Sequence, residues 1–124
     1  MVSPRREKPA GGSGEVERSP EEDPRLAELI RRLVETYRPE RIYLFGSRAR
    51  GDARPDSDYD VLVVVSDSAA EERRRSHLGY VALTGSRIPT DIVVVTRDYF
   101  DWMLGAAASL PATVQREGRV LYAA

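Results

Sequence analysis

Ser57-Asp58-Tyr59-Asp60-Val61-Leu62-Val63-Val64-Val65 reads as a β-strand that opens on two carboxylates. The β-branched valines at 61, 63, 64 and 65 favour a pleated strand over a helix. Side chains at i and i+2 of a strand share a face and lie about 6.5 Å apart along it. Asp58 and Asp60 therefore project together, and Tyr59 points to the opposite face, into the core. Two bare carboxylates at that spacing repel, and a divalent cation with hard oxygen ligands, such as Mg²⁺, relieves the conflict.

Upstream, Arg41-Ile42-Tyr43-Leu44-Phe45 is strand-like and is broken by Gly46-Ser47. A glycine there lets the backbone approach a ligand, and its amides with the serine hydroxyl suit phosphate oxygens. Downstream, Pro89-Thr90-Asp91-Ile92-Val93-Val94-Val95 is a further strand with an acid near its start. If the two acidic strands are neighbours, Asp58, Asp60 and Asp91 share one site. Three acids around two ions roughly 3.5–4 Å apart is the arrangement of two-metal phosphoryl transfer. A lone Asp-x-Asp or a lone Gly-Ser turn is commonplace; their joint occurrence on these elements is far more specific.

The rest of the chain supplies helices. Asp23-Pro24 is a capping residue followed by proline at the first helical position. Leu26, Leu29, Ile30, Leu33, Val34 and Tyr37 then recur on one helix face until Pro39. A short helix or turn is expected over 49–54, closed by Gly51 and Pro55, and a helix over 69–83 with Leu78, Val81 and Ala82 inward. Helix 97–104 carries Tyr99, Phe100, Trp102 and Met103, which close the core or leave part of an apolar patch for a partner. A short helix over 110–117 and a strand over 119–122 complete the order. The fold class is α/β (α+β): a small mixed sheet with helices packed mainly on one face.

Bulk properties narrow the function. Residues 1–20 carry prolines and glycines with almost no large apolar side chain, and read as a disordered tail ahead of one domain at 21–124. That domain holds one modest core and no second lobe. Net charge is −1, and the longest basic block is Arg73-Arg74-Arg75, so a nucleic-acid target is not expected. The arginine block and His77, the single histidine, read as solvated surface. The chain has no cysteine, which excludes thiolate-bound metals. Apolar runs are strand length, far short of a membrane span, and no secretory signal is visible. A cytoplasmic protein is the expectation.

Gly46-Ser47, Ala49-Arg50-Gly51, Ser57-Asp58-Tyr59-Asp60, Asp91 in its apolar strand and the ending Arg116-Glu117-Gly118-Arg119-Val120-Leu121-Tyr122 resemble the minimal nucleotidyltransferases (MNT proteins) of the DNA polymerase β-like superfamily. The resemblance runs from about Pro24 to Tyr122. It implies a polymerase β-like palm fold and transfer of a nucleoside monophosphate, usually AMP from ATP, to an acceptor hydroxyl. Asp58 and Asp60 would hold two Mg²⁺ ions, with Mn²⁺ as a substitute. Asp91 would complete the second ion's shell and help activate the acceptor. Gly46 and Ser47 would bind the β- and γ-phosphates. Arg48 and Arg50 either add charge near the leaving pyrophosphate or are solvated arginines.

Relatives that modify small molecules carry an extra helical domain for which this chain has no room. MNT chains are also found beside small helical HEPN-type proteins, and some adenylylate a tyrosine of that partner. The expected activity is thus protein adenylylation by the antitoxin of a HEPN–MNT pair. Two alternatives stand beside it: an aminoglycoside-type transferase working with a helical subunit, and an antitoxin acting by contact alone. Homo- or hetero-oligomerisation is left open.

Overall fold

The computed structural model describes residues 23–124, so the expected tail at 1–20 lies outside the described residues. Helix α1 spans Pro24–Tyr37. Asp23 caps it, Oδ1 accepting from the amides of Arg25 at 3.0 Å and Leu26 at 3.3 Å. Leu26, Leu29, Leu33 and Tyr37 are buried, each leucine contributing about 1.5–3 kcal/mol by leaving water. The helix ends where Arg38 turns left-handed, one residue before Pro39.

Strand β1 (Arg41–Phe45) leads through Gly46 into the one-turn helix α2 (Ser47–Arg50), two residues earlier than expected. Strand β2 is Tyr59–Val65, a short 3₁₀ turn is Glu71–Arg74, and α3 is Ser76–Ala82. Strand β3 (Thr90–Thr96) and helices α4 (Arg97–Met103) and α5 (Leu110–Glu117) follow, then β4 (Arg119–Ala123). The sheet order is β3-β2-β1-β4, with β2 and β3 parallel and β1 antiparallel to both its neighbours. The mixed sheet is the one expected.

Alternation along β2 splits the core in two. Tyr59, Val61, Val63 and Val65 face α1 and α3, in the larger cluster. Leu62 and Val64 face the other way and pack with Tyr43, Phe100 of α4 and Val114 of α5. Helices thus cover both faces, the larger core lying under α1 and α3; the four apolar residues after Val61 reflect a strand buried on both sides.

The expected helix at 69–83 is two pieces. Arg75 is extended between them, its carbonyl taken by the Tyr37 hydroxyl at 2.6 Å. The same hydroxyl accepts from the Gly79 amide at 2.8 Å, which pins the start of α3 against α1. Leu78 packs on the core as expected, but Val81 is 55% exposed and Leu83 is buried in its place. On α4, Phe100 stacks on Tyr43 at 5.4 Å, whereas Trp102 is 76% exposed with Tyr99 edge-on beside it. That helix both closes the core and leaves apolar surface outside. No helix among the described residues is long and apolar enough to cross a membrane.

Candidate active site

The parallel register of β2 and β3 sets Asp60 directly beside Asp91, and the antiparallel register sets Phe45 opposite Asp60. Partnered residues of neighbouring strands point to the same face. Asp60 and Asp91 thus share the face that carries Leu62, Val93 and Val95, at the end where both strands begin. Asp58 lies just before β2 rather than within it and is exposed. Its charge nevertheless reaches Asp60.

Asp60 shows what this crowding does. Burial raises its carboxyl pKa, the charges of Asp91 and then Asp58 raise it further, and Arg50 opposes them. The described acids do not form a closed chelating trio. Asp60 and Asp91 are hard oxygen donors side by side with mutually unfavourable charge, with Asp58 just before β2, and that donor type suits Mg²⁺.

Gly46 completes the floor. Its φ of 76° with ψ of −155° belongs to a region nearly reserved for glycine. A Cβ there would collide with Asp60 Oδ2 and lie 3.1 Å from its Cγ. Backbone and carboxylate are therefore in close approach, and the glycine-serine bend touches the acidic strand. Ser47 is the first residue of α2, and its backbone carbonyl accepts from the amides of Gly51 at 2.9 Å and Asp52 at 3.1 Å.

The two arginines part company. Arg48 is buried; its guanidinium donates to the carbonyls of Ser57 at 2.9 and 3.1 Å and Pro55 at 3.2 Å, and lies 4.1 Å from the Tyr59 ring centre. It is not a solvated arginine: it ties the loop that delivers Asp58. Arg50 is exposed, within 3.4 Å of Asp52, and its charge is felt at Asp60. Tyr59 is buried as expected, its hydroxyl donating to Asp23 Oδ2 at 2.9 Å. The cap of α1 and the acidic strand are thus one network.

Tyr80 escaped the sequence reading. Its hydroxyl accepts from the Ile92 amide at 2.9 Å and donates to Asp91 Oδ1 at 3.2 Å. Helical periodicity does not single out a half-exposed tyrosine, and its contact depends on how α3 returns to the sheet edge.

The nucleotidyltransferase domain family matches residues 26–120, a stretch that includes the glycine-serine bend and all three acids. Among solved structures, a candidate nucleotidyltransferase from Sulfolobus solfataricus is 21% identical, with 93% of each chain covered and a TM-score of 0.58. A mutant of the toxin–antitoxin MntA-HpeT is 20% identical over 80% of this chain and 73% of that one, with a TM-score of 0.54. A toxin–antitoxin with AMP-PNP is 24% identical over 78% and 73%, with a TM-score of 0.51. At these identities the likeness speaks for the fold. No curated protein matches the chain. With the family match spanning the sheet and its acidic end, the chain belongs to the nucleotidyltransferase domain family.

Proposed function

We propose that this chain transfers AMP from ATP, with Mg²⁺, to a hydroxyl of a partner protein, as the antitoxin of a HEPN–MNT pair. One observation carries the chemistry: Asp60, its charge opposed by Asp91 in register, lies against the backbone of Gly46. Acid oxygens and the glycine-serine bend meet at that point. The partner reading draws support from the toxin–antitoxin structures of the same fold, one of them with AMP-PNP. The exposed Trp102 and Tyr99 are compatible with a protein acceptor.

Asp58, Asp60 and Asp91 would hold the metal. When bound, Mg²⁺ neutralises the triphosphate and lowers the pKa of the attacking hydroxyl. The Ser47 hydroxyl and the Gly46-Ser47 amides donate to the β- and γ-phosphate oxygens. Arg50 adds positive charge on the side where pyrophosphate departs. The acceptor oxygen forms its bond to the α-phosphorus as the bond to the pyrophosphate oxygen breaks. The proton lost by that hydroxyl passes to Asp91 Oδ2, since Oδ1 is engaged by Tyr80.

The test is to incubate the chain with Mg²⁺, ATP and the product of the neighbouring gene, then weigh all proteins intact. One adenylyl group or more gained by the partner, and none with the Asp58→Asn/Asp60→Asn chain, is the expected result. ATP turnover only when an aminoglycoside is added would replace the reading with small-molecule transfer. Neutralisation of the partner that survives the double substitution unchanged would leave contact as the mechanism.

A further inference from the structure

We infer that Tyr80 is the positioning residue for Asp91, an assignment that rests on the proposed transfer reaction. β3 is one of the two edge strands of the sheet, and among the described residues one side of it has no neighbouring strand. Tyr80 reaches that edge from α3. An amide only donates, so the Tyr80 oxygen must accept from Ile92, and its own proton is left for Asp91 Oδ1. One hydroxyl thereby ties the backbone at 92 to the carboxylate at 91. It restrains the torsions of an otherwise exposed side chain and leaves Oδ2 for chemistry.

The reach depends on close packing. A Cβ on Gly79 would come 2.7 Å from Ile92 Cδ1 and 3.0 Å from the Tyr37 oxygen, so α3 lies hard against β3 at the residue before Tyr80. Tyr80 itself is 43% exposed and adds little to the core. The two hydrogen bonds of its hydroxyl fall on residues 91 and 92. Asp91 also faces Asp60 across the sheet, and repulsion between the two would otherwise favour rotamers that turn Asp91 away. Partners of this kind, bonded to a metal-binding group, typically govern metal affinity or activity by 10- to 100-fold.

The experiment compares the full chain with Tyr80→Phe, Asp91→Asn and the double variant. Adenylyl transfer is measured against Mg²⁺ and ATP, and Mn²⁺ binding is titrated by electron paramagnetic resonance. Tyr80→Phe should lower turnover by about tenfold or more and raise the half-saturating Mg²⁺ several-fold, with KM for ATP unchanged. Adding it to Asp91→Asn should cost little more, because both act through one carboxylate. A purely structural tyrosine would shift the unfolding midpoint and leave the Mg²⁺ dependence as it was, and that result overturns the assignment. So do losses that multiply in the double variant. If the unaltered chain transfers nothing, the reaction assignment fails by itself, and the Mn²⁺ titration decides for Tyr80: weakening that matches Asp91→Asn supports it, and unchanged affinity refutes it.

Discussion

At the scale of single residues, Gly46 and Asp60 are bound to one another. Gly46→Ala must place a Cβ where the Asp60 carboxylate lies and hold φ at 76°, a conformation that costs a side-chain-bearing residue about 1–3 kcal/mol. Relief requires either the bend or the carboxylate to move, and both belong to the proposed transfer site. We expect a loss of stability of that size by urea unfolding and a fall in transfer of at least about a hundredfold, as when reacting groups are displaced by an ångström. Asp60 makes a second prediction, in pH. Its pKa is raised in the fold, so the native state holds the proton more tightly than the unfolded chain, and stability falls as pH rises from the ordinary aspartate value of 3.8 through the raised one. Above the raised value the whole penalty is present. Asp60→Asn should therefore raise the melting temperature at pH 7 in chelated buffer, by an amount that fades as pH drops through the raised value towards 3.8. A melting temperature that falls at pH 7, with the fold intact, would mean the carboxylate is stabilised rather than crowded.

At the scale of elements, α3 decides the geometry of the sheet edge. Gly79→Ala improves helix propensity by up to about 1 kcal/mol, yet its methyl meets Ile92 and Tyr37 within 3.0 Å. Overpacking of this kind costs about 1–3 kcal/mol, so the net change should be destabilising in guanidinium unfolding. Because α3 would be pushed off the edge, exchange of the Ile92 amide should also accelerate. The same helix shows where reading the chain alone stops. α1 was legible because its cap, its proline and its apolar face are all local. β1, β2 and β3 were legible because they are short β-rich runs bounded by turn residues, and the acids lay at the starts of β2 and β3. The break at Arg75 was not, since a hydroxyl 38 positions away in sequence takes its carbonyl. Arg48 was hidden for a like reason: nothing near it foretells that a loop nine residues on will wrap its guanidinium. The link between Tyr80 and Asp91 needs both strand order and helix placement. Chemistry carried by residue type was visible; positioning by distant partners was not.

At the scale of the whole molecule, the acidic end is where the parts of the fold meet. Gly46-Ser47 follows β1, Asp60 is on β2, Asp91 is on β3, and these strands carry both cores between them. A ligand gripping all three elements cannot bind a partly opened chain well, so its binding energy should appear in global unfolding. With Mg²⁺-ATP held about 100-fold above its Kd, the native state should gain about 2.7 kcal/mol. The urea midpoint should rise while the slope of the transition stays constant, because the surface exposed on unfolding is that of the same cooperative unit. Asp58→Asn/Asp60→Asn should abolish the gain without altering the ATP-free midpoint downward, since removing crowded charge does not weaken the fold. ATP with a chelator should give little of it. Equal stabilisation by ATP with and without Mg²⁺ would instead place the triphosphate on Arg50 and the Gly46-Ser47 bend alone, and would deprive the three acids of a cation-binding role.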